Sequence, residues 1–321
     1  MSVIKPFTNS TILVIGGAGF VGSHVVDELL KEDVGKIKVF DNFSRGTREN
    51  LKNASEDPRV EILDNSSDIC QVDILDDAMK NVDYVIHLAA AWLLQCYEYP
   101  RTAFNINITG TYNVLEACVN NNIKKLIFVS SSSVYGEALK LPMVEDHPYN
   151  NRTFYGATKI AAEHMCRAFN ERHGLDYLAL RYMNVYGPRQ DYKGVYISVI
   201  MKILDRIKNG KSPIVYGNGS QAYDFNYVED VARATVYALK SRASDEFINI
   251  SSGKQTSIED LAKKLLKLTN SDLEIEYQPE KRSFVTNRIG STKKAKKLIG
   301  YETTVFLDEG LKKLIDWREN K

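Results

Sequence analysis

The stretch TILVIGGAGFVG, residues 11–22, decides how this chain folds. Residues 11–16 form a near-continuous β-branched and aliphatic run, which reads as a strand buried on both faces. The run ends in glycines at 16, 19 and 22, and an apolar helical pattern follows from Phe20 to Lys31. Strand, glycine turn and helix in that order give three spaced glycines their meaning. Gly16 permits the tight turn, Gly19 lets backbone N–H groups approach a pyrophosphate at the positive end of the helix dipole, and Gly22 lets helix and strand pack closely. Asp41 ends the next strand, nineteen residues after Gly22. A carboxylate there can accept hydrogen bonds from both hydroxyls of an adenosine ribose and repels a 2′-phosphate, so the expected cofactor is NAD rather than NADP. Arg45 and Arg48 lie close by and work against that selectivity.

The same alternation continues outward. Residues 36–41, 60–64, 83–89, 124–130 and 176–182 read as further strands, with long helices over 107–120 and from Tyr155. Apolar strands separated by helices of ten or more residues predict a parallel sheet covered on both faces, joined by right-handed crossovers. The expected fold class is α/β, a Rossmann-type doubly wound parallel sheet with a smaller α+β substrate lobe. After Tyr182 the loops lengthen, and helices at about 195–209, 229–240, 257–268 and 306–319 mix with short strands at 247–250 and 273–277. The expected division is a cofactor domain over 1–182 and a second lobe over 183–321, with 223–250 able to return a strand and a helix to the main sheet.

Composition excludes several classes. The 321 residues are 44% hydrophobic and 26% charged, with 42 Lys plus Arg against 41 Asp plus Glu. A net charge of +1 is not that of a nucleic-acid binder. Cys70, Cys96, Cys118 and Cys166 are widely spaced, with neither metal-ligand spacing nor a disulfide framework. No metal site is expected. The N-terminus has no signal-peptide pattern and no apolar run approaches a membrane span, so a cytoplasmic protein with no membrane partner is expected.

Three further stretches carry chemistry. HLAA, His87 to Ala90, puts small residues at a strand's carboxyl end, where a cofactor can lie against backbone; His87 reads as structural. VSSSSVYG, 129–136, places four hydroxyls at another strand end, costly to bury unless something such as a sugar hydrogen-bonds to them; the alternative is a serine-rich turn. FYGATK, 154–159, sets Tyr155 and Lys159 four apart on one helical face. Alone, this is either an ordinary first helical turn or a tyrosine poised to move a proton.

The order of glycines 16, 19 and 22, Asp41, Asp68–Ile69, HLAA, Asn107, SSSSVYG, Tyr155-xxx-Lys159 and LRYMNVYGPR (180–189) resembles the extended short-chain dehydrogenases/reductases. Within them it resembles the nucleotide-sugar epimerase/dehydratase branch, of the UDP-glucose 4-epimerase kind. YDFNYVEDVARA (223–234) and KAKKLIGY (294–301) extend the likeness over nearly the whole chain. The resemblance implies bound NAD, a nucleotide-sugar lobe over 183–321 and a homodimer built on a four-helix bundle. It implies catalysis by Ser131, Tyr155 and Lys159, with Tyr155 as base, Lys159 favouring its phenolate and holding the nicotinamide ribose, and Ser131 sharing the sugar hydroxyl. It implies cofactor contacts from Gly16, Gly19, Phe20, Val21, Gly22, Asp41, Asn42, Asp68, Ile69, Leu88, Ala89, Ala90, Asn107, Ser130 and Tyr182, besides Tyr155 and Lys159. Substrate contacts are implied for Ala91, Ser131, Ser132, Ser133, Asn184, Arg189, Tyr216, Tyr223 and Arg288, besides Tyr155.

The implied reaction is epimerisation of a nucleotide-diphosphate sugar at C4 through a transient 4-keto intermediate, with a UDP-hexose or UDP-uronic acid expected. Dehydratases of this branch carry an acid–base carboxylate pair where this chain has Ser132 and Ser133. A decarboxylase, a 4-keto reductase and a non-enzymatic NAD sensor are the alternatives. Two departures bear on the substrate. Relatives commonly read QxRDF where this chain reads QAYDF, with Tyr223 in place of the arginine, and the residue that gates the sugar pocket aligns with Arg288. Arg288 is therefore expected to supply the charge toward the diphosphate that Tyr223 lacks.

Overall fold

Alternate residues of the first strand, β1 (Thr11–Ile15), feed two different cores: Ile12 and Val14 pack on one face, Leu13 and Ile15 on the other. That is the period-2 geometry of a strand covered on both sides. The structure, a computed structural model, describes residues 7–63, 66–192, 198–280 and 285–320. From β1 the chain runs through α1 (Phe20–Leu30), β2 (Lys36–Phe40), β3 (Val60–Ile62), α2 (Val72–Met79), β4 (Tyr84–His87), α3 (Leu93–Glu98), α4 (Pro100–Phe104), α5 (Thr111–Asn120), β5 (Lys125–Ser131), α6 (Phe154–His173) and β6 (Tyr177–Tyr182). Then follow β7 (Asn184–Tyr186), α7 (Val199–Lys208), β8 (Ile214–Tyr216), β9 (Ala222–Tyr223), β10 (Phe225–Tyr227), α8 (Val228–Lys240), β11 (Glu246–Ile250), β12 (Thr256–Ser257), α9 (Ile258–Leu268), β13 (Glu276–Gln278), β14 (Asn287–Arg288), α10 (Lys293–Ile299) and α11 (Leu307–Glu319).

Seven strands form one parallel sheet in the order β11-β6-β5-β4-β1-β2-β3. The order reverses at β1 and β4, and the crevice beyond their carboxyl ends is where doubly wound sheets bind ligands. Helices α1 and α8 cover one face; α2, α5 and α6 cover the other. A third apolar core joins α7, α9 and α11 to β8 and β10. β11 and α8, from the later half of the chain, pack with the main sheet.

Local signals explain most boundaries. Thr153 Oγ1 accepts from Gly156 N at 3.1 Å and starts α6 one residue before Tyr155. Gly174, at φ +71°, ends it. The helix expected over 107–120 begins earlier: α4 runs on through a π-helical stretch, Asn105–Gly110, into α5. The strand expected at 273–277 shrinks to Glu276–Gln278, the segment that β8 pairs. The start of the helix expected over 195–209 lies outside the described residues, as does Asp64.

Candidate active site

The glycine turn is packed to backbone contact. Gly16 has φ +82°, and a Cβ there would stand 2.8 Å from Ala89 N. A Cβ on Gly22 would stand 2.1 Å from Gly16 O. The turn and the HLAA stretch after β4 therefore touch directly, as close strand–helix packing requires. No side chain caps the first N–H groups of α1. Gly19 and Phe20 line a cleft of about 270 Å³ together with Asp41, Asn42, Asp68 and Ala89.

Asp41 Oδ2 accepts from Ala18 N at 2.9 Å and Oδ1 from Phe43 N at 2.8 Å. Burial raises its carboxyl above the usual range, and the backbone donors pull the other way. The carboxylate thus pins the glycine turn to the loop after β2 and keeps acceptor capacity toward the cleft. The two arginines near it are engaged. Arg45 is ion-paired with Asp191 and lies 4.5 Å over the Trp92 ring; Arg48 lies 4.9 Å over Phe43. The Arg45–Asp191 clasp reaches across the cleft mouth, since both residues line it.

Tyr155 and Lys159 occupy the first turns of α6, and Ser131 ends β5. Burial pushes the Tyr155 phenol up to about 12; a hydrogen bond with Ser131 and the charge of Arg288 lower it. Ser131 Oγ also accepts from Ser133 N and lies 3.1 Å from Ser133 Oγ. Lys159 Nζ donates to Val129 O at 2.8 Å and stands 5.9 Å from the Tyr155 ring centre. Desolvation brings its ammonium down to about 8. So the three residues expected to act together are brought together. His87, buried, has its Nε2 3.2 Å from Thr111 Oγ1, and burial depresses its pKa to about 3, which keeps it neutral.

Several residues serve differently from the sequence expectation. Ser130 Oγ donates to Glu163 Oε1 at 2.6 Å, away from the cleft. Tyr182 packs in the core with its hydroxyl 2.5 Å from Thr235 Oγ1. Val21 packs against that same core, so only its backbone can serve a cofactor. Asn107 accepts from Ala91 N at 2.7 Å and donates to Ala91 O at 2.8 Å and Thr158 Oγ1 at 3.1 Å. It therefore positions the backbone after HLAA. Arg189, at φ +67°, pairs with Asp27 of α1 at 2.7 Å.

Leu88, Ala90, Ala91 and Ile69 line the smaller cleft. Asn184, Tyr216 and Tyr223 line a second, mainly apolar cavity of about 830 Å³ between Trp92 and the third core. Tyr223 donates to Val285 O at 2.8 Å. Ser132 is buried beneath the strand end. Arg288 lies in register with Tyr223 on β14, with its Nε buried and unpartnered.

Two groupings escaped sequence reading. One is the Arg45–Asp191–Trp92 clasp, whose members are 146 residues apart at the extreme. The other is a buried ion pair, Glu163 with Arg181, that gathers Ser130, Tyr135 and Tyr149. Glu163 lies one helical turn beyond Lys159, the only sequence signal it had.

A doubly wound sheet with a glycine turn at its switch point, and a Ser–Tyr–Lys group beside it, defines a nucleotide-cofactor enzyme of the short-chain dehydrogenase/reductase type. Residues 12–251 match the model of the NAD dependent epimerase/dehydratase family, and the chain belongs to that family. It is similar to the UDP-N-acetylglucosamine 4-epimerase of Methanobrevibacter ruminantium, solved with UDP-N-acetylmuramic acid: 35% identity, TM-score 0.91, covering 98% of this chain and 99% of that one. It is similar to the UDP-glucose 4-epimerase of Thermotoga maritima, solved with UDP-glucose: 34% identity, TM-score 0.89, covering 97% and 99%. It is also similar to the UDP-glucuronic acid 4-epimerase of Bacillus cereus, solved with UDP-glucuronic acid and NAD: 30% identity, TM-score 0.88, covering 97% and 99%.

Proposed function

We propose that this protein interconverts a UDP-sugar with its C4 epimer, using NAD that stays bound. The observation that carries the reading is Tyr155, hydrogen-bonded to Ser131 and one turn from Lys159, beside the switch-point cleft. The cleft suits NAD: its glycine turn offers backbone N–H groups for a phosphate, and Asp41 lines the same cleft with oxygens that can accept from a ribose. When bound, NAD supplies the hydride acceptor and a positive ring that favours the phenolate.

The chain's own groups do the rest. Tyr155 takes the proton from the C4 hydroxyl as general base and returns it after the sugar turns over. Ser131 donates to the phenolic oxygen and so stabilises its ionised form. Lys159, fixed by Val129 O and 5.9 Å from the Tyr155 ring centre, supplies a cation that favours the phenolate and would hold the cofactor ribose. Ser132 and Ser133 offer no carboxylate to remove a C5 proton, which disfavours dehydration. Residues 183–321 serve as the nucleotide-sugar lobe, apart from α8, β11 and α10, which pack with the main sheet. The apolar cavity beside Tyr216 and Tyr223 takes the nucleotide sugar.

The reading extends to a cytoplasmic homodimer. Tyr112 on α5 stacks edge-on with Phe169 on α6 yet stays 44% exposed, and Phe154 is 41% exposed. Such an aromatic face on two neighbouring helices suits burial by a second copy. Among the described residues no helix is long and apolar enough to cross a membrane, and no His/Cys/Asp/Glu group could hold a metal.

The test is to incubate the purified protein with UDP-glucose, UDP-N-acetylglucosamine and UDP-glucuronic acid and follow the products by NMR. C4 epimers should form without added NAD. A 4-keto-6-deoxy sugar, a UDP-pentose or stoichiometric NADH would overturn the reading. Light scattering of the same sample should give twice the chain mass.

A further inference from the structure

Among the described residues Arg288 has no ion-pair partner, and the start of its strand β14 is tied to the loop that follows Ser131–Ser133, where Glu137 takes Thr286 N and Oγ1. Strand β14 pairs in parallel with β9, putting Arg288 in register with Tyr223. Residues in register on neighbouring strands project to one face, and Tyr223 lines the larger cavity. Arg288 Nε is buried with no hydrogen-bond partner, and among the described residues the guanidinium forms no ion pair. Glu137, the acid that acts on it electrostatically, takes Thr286 N at 2.7 Å and Thr286 Oγ1 at 2.6 Å. Tyr155 and Arg288 act on each other electrostatically, and burial brings Arg288 down to about 10.

That placement disagrees with a diphosphate role. In a pyranosyl nucleotide the diphosphate hangs on C1, across the ring from C4. A side chain close to the base at C4 meets substituents on C3 and C5 instead. A buried guanidinium left unpaired is costly; its fork fits a carboxylate or a phosphate in two-point fashion, and next to C4 the available anion is a carboxylate.

We propose that Arg288 selects sugars bearing a carboxylate next to the reacting carbon, either the C5 carboxyl of a uronic acid or a carboxyalkyl ether on O3. The proposal rests on the C4-epimerase reading and narrows its substrate.

The experiment compares kcat/KM, by NMR of C4 epimers, within two matched pairs: UDP-glucuronic acid against UDP-glucose, and UDP-N-acetylmuramic acid against UDP-N-acetylglucosamine. The unmodified protein should favour the acid at least tenfold in one pair, and that pair identifies the position of the carboxylate. Arg288→Met should cut this preference at least tenfold, and Arg288→Lys should restore part of it, as expected for a charge-assisted contact. Preference for the neutral sugar in both pairs overturns the proposal. So does an equal loss on both members of a pair, which would return Arg288 to the diphosphate. Retained NAD shows that the variants fold. If no sugar is epimerised, the functional reading fails by itself. Calorimetric Kd values for the same pairs, measured on the unmodified protein and on the Arg288→Met variant, then decide the carboxylate question.

Discussion

The Glu163 carboxylate and the Arg181 guanidinium meet as a two-point fork with no solvent exposure: Arg181 Nη2 lies 2.7 Å from Oε2 and Nε lies 2.8 Å from Oε1. Glu163 shares α6 with Tyr155 and Lys159, and its Oε1 also takes the Ser130 hydroxyl next to Ser131. Arg181 reaches the other way, donating to Tyr135 Oη and Glu145 O. The pair thus ties α6, which carries Tyr155 and Lys159, to the serine strand end and to the loop beyond it.

Glu163→Gln should therefore destabilise the protein strongly. It leaves a buried guanidinium uncompensated, a loss of about 3–5 kcal/mol where one partner of such a pair is removed. Urea unfolding of the variant measures it. A change under about 1 kcal/mol would place the pair among surface-like bridges.

Tyr155→Phe should lower kcat at least a hundredfold while NAD remains bound, the loss expected of a general base. Ser131→Ala tests the same proton from another side. Ser131 lowers the phenol's pKa against the burial that raises it. Removing that donor raises the pKa, so the acid limb of the kcat/KM profile should move to higher pH. An acid limb that stays in place would show that Ser131 does not act on the phenol.

Cofactor choice follows from Asp41 and from what occupies Arg45. A 2′-phosphate would meet the Asp41 carboxylate, while Arg45 is paired with Asp191 and stacked on Trp92. The protein should bind NAD at least tenfold more tightly than NADP. Asp191→Asn frees Arg45 and should raise NADP affinity severalfold without weakening NAD comparably. Asp41→Asn should narrow the gap by removing the repulsion. Fluorescence titration with both dinucleotides reads all three, and equal binding by the unmodified protein would refute the role of Asp41.

The sheet was legible because its strands are near-continuous apolar runs, and β1 needs no tertiary information to be recognised. The glycine turn was legible because only glycine fits where a Cβ would meet Ala89 N or Gly16 O. The short strands of the second lobe were not. β9, β12 and β14 are two residues each and exist only through each other, and Asp224 fixes their surroundings by taking Ser251, Ser252 and Gly253 donors from far along the chain. Polar residues misled for a related reason. Ser130 and Ser131 are identical neighbours in sequence, but strand alternation turns Ser130 down to Glu163 and Ser131 toward Tyr155.

Asn107 gives the last prediction. Its side-chain oxygen takes Ala91 N, and its nitrogen serves Ala91 O and Thr158 Oγ1, all within the buried wall of the cofactor cleft. Asn107→Asp keeps the shape and the acceptor but loses the donor, so Ala91 O keeps only the weak Cys96 thiol donor at 3.4 Å and Thr158 Oγ1 loses its amide donor. Weakening the partners of buried polar groups costs about 1–3 kcal/mol, and a carboxylate facing that carbonyl adds repulsion. Because Ala91 closes the stretch that lines the cleft, the damage should reach the cofactor as well as the fold. The expected result is a lower melting temperature together with at least a tenfold weaker hold on NAD, read by thermal unfolding and by titration. Lowered stability with NAD affinity unchanged would show that Asn107 supports the helix junction alone and does not shape the cleft.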